Sequence, residues 1–293
     1  MLCSVVIPTL GRQTLPRAID SVLQQPISDF EIEIIVVNDS GKRLDLNCYE
    51  SHPNITVVDT NRSGLAHACN TGASIAKGEY LQFLHDDDYL LDNGLIALLA
   101  AACDSGCKWV IGSAIITDDH GNKLYEIDSS HTIGNILAEF IANESPHVSY
   151  RLIHRRTFLE VGGFTVMKSC EDRDLFARLS LHYDVTSTKM PVSCVIRSGG
   201  GASHYRNMDI KSDYRITRER ILDTRYQRQL SDSLKGRVSL RGRVCRQMIF
   251  SSTLHLINLD VFRSLDRLFW CCYFANVYIV YPSFWKGLLK DRS

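Results

Sequence analysis

A chain of 293 residues is long enough to bury a sizeable core, as one large domain or as one domain with an appendage. Lys plus Arg and Asp plus Glu each number 33, which argues against both an overall basic field for nucleic acid and an acidic solvating tail, so a charged partner has to be recognised locally. The 10 cysteines are scattered behind a strand-like start with no signal-peptide pattern, so reduced thiols and a cytoplasmic location are expected; neither Cys103 with Cys107 nor Cys271 with Cys272 has a second pair at zinc spacing.

Apolar runs then alternate with helical periodicity. CSVVIP (3–8) and EIEIIVVND (31–39) are rich in the β-branched residues of buried strands. Between them Leu15, Ala18, Ile19, Val22 and Leu23 recur at helical spacing. A strand at 55–59, a helix over 63–76, a strand at EYLQFLH (79–85), a helix over 91–103 and a strand at KWVIGS (108–113) follow. This alternation predicts an α/β fold, with a mostly parallel central sheet flanked by helices. AIITDDHGNKLYEI (114–127) reads as a hairpin turning at 119–122. A helix at 132–142, a strand at 147–153, a VGGF turn (161–164) and a helix over 172–182 come next. The last 90 or so residues read as helical and Arg-rich, which divides the chain into 1–205 and a helical C-terminal region, 206–293.

Ligands of open parallel sheets bind at the carboxyl ends of the strands. The polar groups there are Thr9, Asn38 and Asp39, Asn61 and Arg62, and the run Asp86, Asp87, Asp88. Three carboxylates between apolar segments repel unless something positive gathers them. A hard divalent cation, Mg2+ or Mn2+, takes one or two carboxylates and completes its shell with phosphate oxygens and water. The other reading is an acidic turn capping the helix near Leu91, which Asp92 alone would also cap. There is no GxxxxGK[ST], and no GxGxxG after the first strand, so a phosphate would be held mainly through metal. In SCEDRDLFARL (169–179), Glu171 and Asp172 open a helix, whose dipole would keep a carboxylate base there ionised at neutral pH; the other reading is ordinary placement of acidic residues at a helix N-terminus.

SVVIPTLGR (4–12), VVNDSG (36–41), NRSGLAHACNTGASIAKGEYLQFLHDDDYL (61–90), VGGF (161–164) and EDRDLFARL (171–179) together resemble the inverting GT-A glycosyltransferases of family 2, in that family's order and spacing over about the first 200 residues. The resemblance implies a nucleotide-sugar-binding half, 1–113, and an acceptor-binding half, 114–205. It implies that Pro8, Thr9, Asp39, Asn61, Arg62, Gly64 and Asn70 shape the donor pocket. By the family's register His85 stands in the first Asp position of the DxD element, where it would reach the sugar or diphosphate or else simply pack, and Asp87 in the second, making Asp87 the main metal ligand, Asp86 a ribose or diphosphate contact and Asp88 a secondary ligand. A strict DxD reading takes Asp86 and Asp88 instead.

Asp172 would then be the general base, and Glu171 would bind the acceptor or hold Asp172 in place. SGGGASHYR (198–206) would be a lid over the donor, with His204 a further metal or phosphate contact. Cys69 stands where relatives carry a basic residue. The implied function moves a sugar from a nucleotide diphosphate, UDP foremost, to a glycan or lipid-linked acceptor, in the setting of bacterial surface polysaccharides. Other readings are a non-catalytic sugar- or nucleotide-binding scaffold of the same fold, and a sugar-phosphate nucleotidyltransferase, whose basic glycine-rich loop is not apparent in PTLGRQT.

The apolar run LFWCCYFANVYIVY (268–281) is too short to span a bilayer. With Arg263, Arg267, Lys286, Lys290 and Arg292 around it, it reads either as an interfacial helix on the inner membrane surface or as a helix packed on its own core or in an oligomer. Arg215, Arg218, Arg220, Arg225 and Arg228 are candidates for anionic head groups.

Overall fold

β1 (Leu2–Thr9) is buried from Cys3 onward on both faces, as a central strand of a helix-covered sheet must be. β2 (Glu31–Asn38) and β4 (Tyr80–Phe83) run parallel on either side of it, and β3 (Ile55–Asp59) runs parallel beyond β2. The crossovers are α1 (Leu15–Leu23), burying Leu15, Ala18, Ile19 and Val22, and α2 (Leu65–Ile75). This computed structural model describes residues 1–26, 30–46, 49, 51–142, 147–167, 170–197, 216–222 and 227–289.

Register is what makes a site here. Thr9 pairs with Asn38 and Asn38 with Asp59, so three strands end level. Val6 pairs with Phe83, which carries Asp86 to the level of Thr9 three residues later.

Beyond β4 the sheet turns mixed. β8 (Arg151–His154) lies antiparallel between β4 and β6 (Trp109–Thr117), and β9 (Thr186–Ile196) is parallel to β6. The short β5 (Tyr89–Leu90) pairs antiparallel with β9, giving the order β3-β2-β1-β4-β8-β6-β9-β5, with β7 (Lys123–Ile127) forming the hairpin on β6. α3 (Gly94–Ser105), α5 (Arg155–Glu160) and α6 (Glu171–Ser180) complete this part. The strand read at 108–113 and the first hairpin arm are thus one strand. α3 begins at Gly94, after a left-handed Asn93 at its N-cap, so Asp92 is not its cap. β9 and β5 have no counterpart among the expected elements. TSTKMPVSCVI interrupts its apolar residues with Lys189 and Pro191, and only its second half is buried.

Two compact units form, residues 1–134 with 146–210 and residues 135–145 with 211–293. The second contains α4 (Leu137–Ile141) and helices at 216–221, 227–233, 238–257, 261–275 and 282–289. Helices 238–257 and 282–289 meet backbone to backbone. A Cβ on Gly242 would lie 2.0 Å from the Phe284 carbonyl oxygen, and one on Gly287 would lie 1.9 Å from that of Ser239. Gly242→Ala is expected to force the helices apart at a cost of about 1–3 kcal/mol. A calorimetric scan checks this, and an unchanged melting temperature would show that the contact tolerates a methyl group. Arg218 and Arg267 are buried: Arg218 against Glu219, Gln247 and the Phe250 ring, Arg267 against Glu219 and Asp266. Neither is therefore presented to head groups, while Arg215, Arg225, Lys290 and Arg292 lie outside the described residues.

Candidate active site

Asp39 follows β2 and is buried, yet its carboxylate is fully used. One oxygen accepts from Thr60 Oγ1 at 2.8 Å and the Ser63 amide at 2.6 Å, and the other accepts from the Gly64 amide at 2.8 Å. The loop reaches it because Asn61, Arg62 and Gly64 take left-handed φ values of 54°, 59° and 92°. That conformation suits Asn and Gly and is costly for Arg, whose Nε is held on the Ser40 carbonyl at 2.9 Å. Beside this loop opens a cleft of about 720 Å3, lined among others by Asn38, Lys42, Arg43, Asp59 and Asn61. Asp86–Asp88 and Asp172 are not among the residues lining it.

The positive group beside the aspartates is Arg12, in the turn after β1. Its Nη1 lies 2.7 Å from Asp86 and 2.9 Å from Asp87, an ion pair that sequence reasoning missed, although Arg12 closes the very PTLGR turn that carries Thr9. Asp86 is buried, and both its oxygens are occupied, by Thr9 Oγ1 at 2.5 Å and by Arg12. Asp88 is buried too, accepting from Ser149 Oγ at 2.5 Å and the Ile196 amide at 3.0 Å, and burial pushes its carboxyl up to about 6. Asp87 is half-exposed, and its second oxygen has no hydrogen-bond partner among the described residues. Of the three carboxylates, Asp87 thus keeps an oxygen open to a cation, whereas both oxygens of Asp86 are taken by Thr9 and Arg12.

Two histidines adjoin this row. His85 and His147 meet edge to face with ring centroids 4.8 Å apart, and with Asp88 they bring three ligand atoms within 4.8 Å of one another. Burial lowers both imidazoles, His147 to about 4, so both are neutral at pH 7 and the 3.7 Å approach of His147 Nδ1 to Asp88 is not an ion pair. Neutral imidazoles beside carboxylates suit a transition-metal ion such as Mn2+.

Glu171 and Asp172 form the first turn of α6. Asp172 Oδ1 accepts from the Arg173 amide at 2.7 Å, as the helix N-terminus dictates. Even so, burial, and then repulsion from Glu171, push the Asp172 carboxyl up to about 7, reversing the expectation that the helix dipole would hold it low. The Glu171 charge is felt at His85 and that of Asp172 at Arg151, which ties this turn to the histidine and aspartate row. Arg151 is buried between the rings of Tyr150 and Phe176, 4.9 and 4.7 Å from their centroids, and donates to the His147 carbonyl. It too was missed, since only the antiparallel insertion of β8 brings it here.

Asn70 does not present a free amide to this pocket. Its side chain exchanges two 2.8 Å hydrogen bonds with the backbone of Phe164, and Arg178 donates to the Val161 and Gly163 carbonyls, so the VGGF turn is pinned to α2 and α6. Asn70→Ala should leave those backbone groups unpaired and lower the melting temperature, at about 1–3 kcal/mol per buried group. Pro8 is buried within β1 opposite Val37, and Cys69 is buried with its thiol raised well above its usual range. His204 and the 198–206 segment lie outside the described residues.

A parallel nucleotide-type half whose level strand ends carry carboxylates, joined to a mixed half that supplies a carboxylate helix, defines the GT-A class of glycosyltransferase fold. Solved structures agree: residues 1–349 of Staphylococcus aureus TarS in complex with UDP-GlcNAc align over 93% of this chain and 91% of that one, with TM-score 0.65 at 15% identity. The profile of Glycosyl transferase family 2 matches residues 4–168, more than half of the chain, and the chain belongs to that family. It is 26% identical over 190 residues to an uncharacterized glycosyltransferase of Haemophilus influenzae, covering 61% of this chain and 62% of that protein. Over 188 residues it is 35% identical to the uncharacterized glycosyltransferase EpsJ of Bacillus subtilis, covering 62% and 51%. The poly(ribitol-phosphate) β-N-acetylglucosaminyltransferase TarP of S. aureus is 30% identical over 115 residues, covering 37% and 35%. The chain thus spans roughly half the length of the curated relatives it matches.

Proposed function

We propose that this chain transfers a sugar from a nucleotide diphosphate to a hydroxyl of a glycan or lipid-linked acceptor, with inversion. The observation that carries the reading is the placement of Asp172 beside Glu171 at the head of α6, in the unit that also levels Asp39 and Asp86–Asp88 at the ends of the strands flanking β1, with burial and Glu171 raising its pKa. A base is most effective when its pKa lies near the working pH. In this reading Asp172 takes the proton of the acceptor hydroxyl as that oxygen attacks the anomeric carbon, and Glu171 holds the acceptor. One displacement needs one base, unlike the carboxylate pair that flanks the bond in hydrolases.

The loop held by Asp39 seats the nucleoside, with Asn61, Arg62 and Gly64 against it and Thr9 and Asp86 fixing its far side. Asp87 would hold a divalent cation, with His85, His147 and Asp88 adjoining; when bound, the ion neutralises charge building on the departing diphosphate. Arg12 keeps Asp86 and Asp87 together through one oxygen of each, and the second Asp87 oxygen would serve that ligation. UDP is the first nucleotide to test because TarS is solved with UDP and with UDP-GlcNAc. Action at the cytoplasmic side, in building surface polysaccharide, belongs to the same proposal.

Calorimetric titration with UDP, with and without Mn2+, tests the donor half. Binding is expected to strengthen at least about 10-fold with Mn2+, and Asp87→Ala should remove that gain. Binding of equal strength without the metal would leave Arg12, and not a cation, as the charge facing the diphosphate. If UDP, GDP and dTDP all failed to bind, the non-catalytic scaffold would be the better reading.

A further inference from the structure

The helix at 261–275 is inside out. Its buried side carries Ser264, Arg267, Cys271 and Phe274, whereas its exposed side carries Phe262, Leu265, Leu268, Phe269 and Tyr273. At 100° per residue these five fall on one face of about 140°, opposite the buried four. Phe262 is 89% exposed and Phe269 63%, and Leu259, in the turn before the helix, is 86% exposed. Single exposed apolar residues need no explanation, but a continuous aromatic and aliphatic face does.

The charge distribution says what covers it. Although the chain as a whole is neutral, residues 135–145 and 211–293 carry 16 Lys and Arg against 9 Asp and Glu, and the remaining residues carry 17 against 24. A second copy seated on this face would bring two basic units together. An acidic surface would be attracted instead, and one that also accepts Phe, Leu and Tyr is the headgroup and acyl boundary of an anionic bilayer. Arg263 is exposed beside the stripe, with Asp260 as its ion-pair partner, and Lys286 and Trp285 are exposed on helix 282–289. Among the described residues no helix is long and apolar enough to cross a membrane.

We propose that the exposed face of helix 261–275 lies in the interface of an anionic lipid surface, with the basic residues of its unit giving the electrostatic part of the attachment. The attachment is independent of the donor-site reading, so either can fail alone.

The test is co-sedimentation of the full chain with vesicles of phosphatidylglycerol and phosphatidylcholine, or of phosphatidylcholine alone. Partitioning is expected to be at least about 10-fold stronger on the anionic vesicles and to weaken in about 0.5 M salt. Phe262→Ser with Phe269→Ser, both exposed and so not needed for folding, should reduce it by about 10-fold or more while circular dichroism stays unchanged. Phe269→Trp, which keeps the face apolar, should shift its emission to the blue on anionic vesicles. Equal partitioning of wild type and the double variant would overturn the proposal, as would no partitioning at all. A stable dimer that the double variant turns into a monomer, without vesicle binding, would assign the face to a second copy and overturn it too.

Discussion

Asp172→Asn should lower the transfer rate by about 100- to 10,000-fold while leaving UDP affinity unchanged. Asparagine keeps the size of the side chain, and its carbonyl can still accept from the Arg173 amide, but it takes no proton from an attacking hydroxyl. The wild-type rate carries a second signature. Because burial and Glu171 raise this carboxyl to about 7, the ionised form that the proposed base needs builds up only as pH rises through that value. The rate should climb from pH 5 to about 7 and level off above it. Folding is linked in the opposite sense. A carboxyl whose folded pKa is raised binds its proton more tightly when folded, so its contribution favours folding at low pH and is lost as pH rises through the folded value. The Asn variant should therefore melt higher than wild type at pH 8 and show little difference at pH 4. A variant that retained near wild-type turnover would move the base to Glu171, which Glu171→Gln would then identify.

Asp39→Ala is the second large effect. Three donors converge on this buried carboxylate, two of them backbone amides of the left-handed loop that stands beside the cleft. Truncation strands those amides, and the loop can re-form only by exposing them, at about 2–4 kcal/mol in total. UDP affinity should fall at least about 30-fold, the equivalent of roughly 2 kcal/mol, with a lower melting temperature. Asp39→Asn should recover only part, because its NH2 group would face a donor where the carboxylate accepts from the Gly64 amide. If Asp39→Ala bound UDP as wild type does, the loop would not be part of the donor site.

The N-terminal half was legible because its rules are local. The buried parallel strands 3–8 and 31–39 are β-branched runs, 55–59 is a β-branched edge strand and 79–85 an aromatic and aliphatic run, and the helices between them repeat at 3.6 residues, so all four strands could be read directly. Polar residues just after them were then natural site candidates, and Thr9, Asp39 and Asp86 meet their partners at level strand ends. β9 was not legible. Lys189 and Pro191 hide its pattern, and its pairing with β6, Val110 with Thr186 through Thr117 with Ile196, joins residues far apart in the chain.

What the sequence determined by itself was the order of elements, the site residue types and the family they resemble, since periodicity, strand-end chemistry and motif order all lie along the chain. What the tertiary structure decided was the state of those residues. Arg12 was placed on Asp86 and Asp87 by a turn meeting a distant strand end, and Asp88 was sealed under Ser149 and β9. Asp172 was raised where its helix position alone would lower it, because desolvation and a like charge depend on what packs around a carboxylate in space. The tail shows the same division. Its apolar run could be read, but which side of helix 261–275 faces inward follows from packing, and that packing turned Ser264 and Arg267 in and Phe262 and Phe269 out.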